Sequence, residues 1–243
     1  MFQLLKKEIS SFFSSLIGYI VVIVFLLSTA MFLWIFPGDF NLLDNGYASL
    51  DSFFILAPWV FLFLVPAVTM RLFADEKKSG TIELLFTKPF TDFQIIAAKY
   101  LSGLLLVLLS LLPTFIYYIS VYMLGSEPGN LDTGGTWGSY IGLFFLAAIY
   151  VAIGLFSSSL SENQIISFLI GVLLCFFFYI GFESISSFNF LESISEIIVN
   201  LGINEHYKSM SRGVIDIRDL VYFISVIVLF LFTTKTKLES RKW

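Results

Sequence analysis

Six long stretches of this chain carry no charged residue, at 9–38, 52–70, 100–126, 133–161, 163–182 and 220–234, and nothing constrains its fold more. A helix needs about 20 apolar residues to cross about 30 Å of hydrocarbon, and only structures that pair every backbone group internally persist there. Most of the runs approach or exceed that length; the last is short. They predict an all-α membrane protein with six transmembrane helices, organised as a single transmembrane domain over 1–243. Composition agrees: 58% of residues are hydrophobic and 13% charged, against roughly a quarter charged in ordinary soluble domains.

The first run follows Lys6 and Lys7 and has the small residues Ser28 and Ala30 near its end, as a secretory signal would. Its apolar portion over 16–36 exceeds the roughly 7 to 15 residues of a signal core, so a retained anchor is expected. Cys175 is the single cysteine; it excludes an intramolecular disulfide and a cysteine-based zinc cluster and reads as packing. Orientation follows lysine and arginine near the spans. An even number of spans puts both termini on one side. With the termini inside, that face collects eleven of the 14 basic residues and leaves Lys208, Arg212 and Arg218 outside. The termini and residues 75–99 are therefore expected in the cytoplasm. The net charge of −4 comes largely from acids on the outer side, and nothing in it points to nucleic acid.

Phe2, Leu5, Ile9, Phe12, Phe13 and Leu16 recur at helical spacing with Lys6, Lys7, Ser10 and Ser14 between them, which predicts an N-terminal amphipathic helix in the interface. Pro58, Pro66 and Pro113 fall within apolar helix patterns, where each removes a donor and kinks the chain, as a hinge or as static packing. Gly138 and Gly142, then Gly154 and Ser158, place small residues four apart in the fourth span, which lets helices approach closely, within one subunit or between two. Two capping boxes mark helix starts: Thr91 with Gln94, stapled by Phe90 and Ile95, and Ser161 with Gln164, stapled by Leu160 and Ile165. Between spans five and six, Phe190, Leu191, Ile194, Ile197, Ile198 and Leu201 form a stripe that Gly202 can end. An outer amphipathic helix is expected there, against the mouth of the bundle or an extracytoplasmic partner.

Catalysis needs convergent acids, bases, nucleophiles or metal ligands, and the spans offer almost none, so an enzyme is not expected and no residue is assigned a catalytic role. An ionisable group in a span would mark an ion path; Glu183, at the outer end of span five, is the candidate for a substrate path, and Asp219 sits where water reaches it. Tyr117, Tyr118, Tyr122, Tyr150 and Tyr179 read as interfacial or packed. His206 is the single histidine and cannot build a metal site of ordinary ligand count. No lysine follows a glycine, so the chain has no Walker A loop, and the LSENQ run over 160–164 lacks the glycines of an ATPase signature.

Residues 71–99 do more than reverse direction, for which a few residues suffice. They carry Asp75, Glu76, Lys77 and Lys78, a helix-breaking Gly80, an apolar-periodic piece through Ile82, Leu85 and Phe86, and Pro89. The run Glu76-x-x-x-Gly80-Thr81-x-Glu83-Leu84-x(4)-Pro89, with Lys99 at the next span, resembles the loop between spans two and three of ABC-2 type transporter permeases. More narrowly the chain is similar to the F permease subunit of gliding-motility ABC transporters of Bacteroidetes-type bacteria, with relatives in copper-enzyme maturation and sodium or drug export. The resemblance implies a multi-pass subunit of the bacterial inner membrane that pairs with a second copy or a sister permease amid membrane lipid. It implies two cytosolic ATPase subunits that bind ATP and magnesium, this chain holding no cofactor of its own. A cytoplasmic coupling helix docks into the ATPase through Glu76, Gly80, Thr81 and Glu83, with Leu84 and Pro89 shaping it. The resulting expectation is export or mechanical work, in gliding motility; the alternatives are efflux of a small substrate such as sodium or a drug, and a scaffold that moves nothing.

Overall fold

The computed structural model describes residues 2–44, 46–87, 89–125, 129–188 and 193–240, and these are helical with no strand among them. Helix α1 (Phe2–Ser14) ends at the extended Ser15 and is followed by α2 (Leu16–Ala30), which a π-turn at Met31–Ile35 prolongs into the first span. Helices α3 (Asp51–Thr69) and α4 (Arg71–Lys78) make the second, and α5 (Thr81–Phe86) links it to the third. That third span is α6 (Asp92–Leu111), a 3₁₀ turn around Pro113, and α7 (Phe115–Leu124). Helix α8 (Thr133–Leu160) is the fourth; α9 (Gln164–Phe176), a π-turn at Phe177–Gly181 and α10 (Phe182–Ser186) are the fifth. Two short helices, α11 (Ser195–Val199) and α12 (Ile203–Ser211), precede the sixth, α13 (Ile217–Glu239). Among the described residues six helices are long and apolar enough to cross a membrane.

Span four is the axis. Its apolar window is 78% buried, against 28%, 22% and 22% for spans one, five and six, so the other helices wrap it and leave their own apolar faces outward. The small residues along α8 explain how. A side chain at Gly154 would strike Thr69 of α3, and one at Gly138 would strike the backbone of Met210 and Gly213. Both close approaches lie within one subunit, so the fourth-span glycines are internal seams.

Residues 75–78 belong to a helix rather than to the expected loop. The helix breaks at Met70, whose own amide still donates to the Pro66 carbonyl at 2.9 Å. It resumes because Ser158 of α8 fills the gap: its hydroxyl accepts from the amides of Phe73 (2.9 Å) and Ala74 (3.1 Å) and donates to the Met70 carbonyl (2.7 Å). Three backbone groups that a broken helix leaves orphaned are thereby satisfied in a buried place.

Of the two expected capping boxes, that at Thr91 forms as read, Thr91 Oγ1 accepting from the Gln94 amide while Gln94 Oε1 accepts from the Thr91 amide. At the other, the helix starts two residues late. Asn163 is the cap, its Oδ1 accepting from the Ile165 amide at 2.9 Å, and the Gln164 side chain is drawn away to Asp75. The outer stripe also differs. Phe190 and Leu191 lie outside the described residues, Ile194, Ile197 and Leu201 are exposed, and Gly202 opens α12 rather than simply closing a helix. The segment packed on the bundle mouth is α12, through Ile203, Tyr207 and Met210.

Candidate functional site

The two ends of the bundle differ in kind. The end formed by α1, α4, α5 and the start of α6, termed basal here, concentrates charge inside the protein. Leu4, Glu8 and Phe12 are the buried residues of α1, while Phe2 and Leu16 of the expected stripe are exposed. The packed face thus shares Phe12 with the stripe read from sequence, has Leu5 and Phe13 at its edge, and adds a carboxylate.

Glu8 is buried because its partner is. Lys99 of α6 is 1% exposed; its Nζ donates to Glu8 Oε1 (3.2 Å) and to the Leu72 carbonyl (2.7 Å) and lies 2.9 Å from Glu76 Oε2. That last oxygen accepts no hydrogen bond, so its contact with Lys99 is coulombic. Glu76 Oε1 accepts from Lys7 Nζ at 3.1 Å, and Lys7 lies 3.6 Å from Glu8. Lys7, Glu8, Lys99 and Glu76 therefore close a ring of alternating charge that joins α1, α4 and α6. Burial alone would lower the Lys7 pKa; the Glu76 and Glu8 carboxylates outweigh it and hold it above 10.5. Phe73 lies beneath Lys99, 5.2 Å from ring centroid to Nζ.

Arg71, Asp75 and Lys77 of α4 are spent the same way. Arg71 reaches Ser15 (3.4 Å) and lies over the Phe12 ring, with Asp75 3.8 Å from it. Asp75 also binds Gln164 at the start of α9, and Lys77 donates to the Ser159 carbonyl at the end of α8 (2.5 Å). A buried pair is net stabilising only when its remaining hydrogen bonds are satisfied. Here most of the remaining lone pairs and protons meet backbone carbonyls, hydroxyls and an amide, Glu76 Oε2 being the exception, and α4 is fastened to α1, α6, α8 and α9 at once.

Past Lys78 the chain turns outward. Gly80 has φ +69°, a left-handed conformation that favours glycine, and it reverses α4 into α5. Helix α5 turns Leu85 inward with Ile82 and Phe86 partly buried, and presents Thr81, Glu83 and Leu84 to the outside, Leu84 being 65% exposed. Of the docking residues expected from sequence, Gly80, Thr81 and Glu83 share this tip. Glu76 does not: its side chain is 14% exposed and engaged in the charge ring. Between α1 and α5 lies a groove of about 530 Å³ lined by Gln3, Leu4, Thr81, Leu84 and Pro89 among others. The charge ring is not legible in sequence because Glu8 and Lys99 stand 91 positions apart.

At the opposite, distal end a cleft of about 740 Å³ opens between α3, the fifth span and α12. Trp59 and Tyr179 meet edge to face at 5.8 Å on its wall, and the π-turn at Phe177–Gly181 contributes Tyr179 and Ile180. Its rim carries Glu183, whose carboxylate accepts from Asn204 Nδ2 (2.8 Å) and Lys208 Nζ (3.4 Å). Glu183 thus lines a cavity and is half-exposed.

Compared with known proteins, residues 2–215 match the family described as ABC-2 family transporter protein. Comparison with curated proteins gives no match.

Proposed function

The chain belongs to the ABC-2 family of transporter proteins, and from that premise we propose that it is the membrane subunit through which a separate ATPase moves the bundle. The whole of 1–243 acts as one transmembrane unit in a bacterial inner membrane, both termini and α5 facing the cytoplasm, paired with a second copy or a sister permease. ATP and magnesium belong to the ATPase.

What supports this reading is the contrast along one hairpin. The tip at Gly80, Thr81 and Glu83 is free for a partner, while α4 behind it is pinned to four other elements by the charge ring and by Asp75, Lys77 and Ser158. A push on the tip therefore moves several spans as one body instead of bending a loop. Docking falls to Gly80, Thr81, Glu83 and the exposed Leu84, and Glu76 transmits. The work performed follows the narrower resemblance: export or mechanical work in gliding motility.

Replacing Glu83 by lysine tests the docking role. Purified variant and parent should have the same melting temperature, with binding of the partner ATPase and transport-coupled hydrolysis lost in the variant. Unchanged binding and transport overturn the assignment. A second reading, efflux of a small amphipathic substrate, is favoured by the distal cleft, whose volume lies within the roughly 300–1,000 Å³ of ligand sites and whose π-turn is of a kind frequent at functional sites. Glu183→Gln should weaken transport of such a substrate while leaving ATPase binding intact.

A further inference from the structure

The distal cleft is chemically two-ended. Its floor is aromatic: Trp59 meets Tyr179 edge to face at 5.8 Å, and behind Tyr179 the buried Tyr150 ring stands nearly perpendicular to it at 6.4 Å. The three rings brace one another across α3, the fifth span and α8, so the floor is formed before anything enters. Tyr179 is 5% exposed and its hydroxyl has no hydrogen-bond partner among the described residues, where a buried polar group ordinarily has one. The mouth is charged. Asp51 opens α3 and is exposed, and its carboxylate meets no donor among the described residues. Trp59 follows it on the same face of α3, about 12 Å further along at 1.5 Å per residue.

The balance of charge sets the sign of the ligand. Asp51 and Glu183 bring two carboxylates to the cleft against the single ammonium of Lys208. Lys208 is turned to Glu183 at 3.4 Å, and the Asn204 amide donates to the same carboxylate at 2.8 Å, so Asp51 is left over. It complements the positive end of α3 without either oxygen being taken. We propose that the cleft binds a small single-tailed alkylammonium, the ammonium donating to Asp51 at the mouth and the apolar tail lying against Trp59 and Tyr179. This rests on the second reading above, efflux of a small amphipathic substrate, and gives that substrate its charge.

The volume of about 740 Å³ is that of a site for a drug-sized ligand, which selects a single-tailed amine over a two-chained lipid. An anionic head group at this mouth would meet the uncompensated charge of Asp51, and a neutral one would leave that charge as it is. Helix α12 fixes the shape of the cleft as the shared neighbour of its walls. Tyr207 donates to the Phe54 carbonyl of α3 (2.7 Å), Asn204 and Lys208 hold Glu183 of α10, and Met210 lies in the groove left by Gly138 and Gly142 of α8. The carboxylate at the mouth and the rings at the floor therefore keep their separation, and a ligand has to be charged at one end and apolar at the other to use both.

Equilibrium dialysis decides it, with purified full-length protein in phosphatidylcholine nanodiscs and empty nanodiscs to subtract partition into lipid. Octylammonium should bind the parent saturably and more tightly than N-octylacetamide, an uncharged ligand of similar length. Asp51→Asn should weaken octylammonium about fivefold, the upper end for an ion pair in contact with water, and leave N-octylacetamide as it was. Because Asp51 is exposed and unpaired among the described residues, that substitution should not move the melting temperature. Lys208→Gln frees Glu183 and should tighten octylammonium, while Trp59→Leu, which removes floor rather than charge, should weaken both ligands. Equal binding of the two ligands by the parent, or octylammonium binding indifferent to Asp51→Asn, overturns the cationic assignment and leaves the efflux reading standing. Failure of both ligands to bind the parent overturns the proposal and removes the efflux reading with it.

Discussion

At the scale of single residues, the decisive group is Lys99, a charge 1% exposed between two carboxylates that face nothing else of opposite sign except Lys7. Removing one partner of a buried ionic set leaves the other uncompensated, at a cost of about 3–5 kcal/mol. Lys99→Met should therefore lower the melting temperature in detergent sharply. The triple variant with Glu8→Gln and Glu76→Gln should regain most of the loss, because a neutral ring has no stranded charge. Lys7 adds a pH dependence of definite sign. Its pKa is raised in the folded protein, so its tie is fully present below the unfolded value of 10.5 and disappears as the pH climbs through the folded one. Parent and Lys7→Gln should then converge in stability on the alkaline side of that window and differ below it. Ser158→Ala tests a different need: the amides of Phe73 and Ala74 lose their acceptor while still buried, costing about 1–3 kcal/mol for each group left unpaired. Thermal unfolding of the variant in the same detergent checks it.

At the scale of elements, what could be read from sequence divides by the reach of the interaction. The box at Thr91 closes among residues 91–94, so its chemistry was wholly visible in the chain. The one at Ser161 was equally well formed on paper, but Asp75 competes for Gln164 from 89 positions away, and a local pattern has no means to register that. The same limit hid part of α1: its period was correct and Phe12 of the stripe is buried, but burial of Glu8 follows from Lys99. Helix α12 went unread because Glu205, His206 and Lys208 dilute its three inward residues, Ile203, Tyr207 and Met210, although these keep helical spacing. Its seat on α8 makes a prediction. A side chain at Gly138 would collide with the Met210 carbonyl and the Gly213 backbone, and backbone does not swing aside as a flexible side chain does. Gly138→Val should destabilise by about 1–3 kcal/mol and raise hydrogen exchange across residues 203–211. Gly134→Val, whose nearest neighbour is an Asp132 oxygen at 3.5 Å, should leave that exchange unchanged.

At the scale of the whole molecule, span four is a packed axis and the two ends carry different devices, the pinned lever of α4 below and the α12 keystone above. The apolar lengths of the six spans were legible because lipid imposes them; the joining of the ends was not, since it is built from contacts between distant segments. A crosslinker placed through Lys78→Cys, beside the α5 tip, should capture a Walker-containing ATPase from native membranes. If the tip proves accessible and folded yet captures none, the chain is better regarded as a scaffold. The charge ring also sets an order in time. Glu8 leaves the ribosome 91 residues ahead of Lys99, and from the emergence of Glu76 until that of Lys99 the ring holds two carboxylates against Lys7 alone. During that interval water has to solvate what the finished protein encloses, and α1 can seat itself only once the third span has been threaded. Assembly of the basal end is therefore timed by the arrival of one lysine.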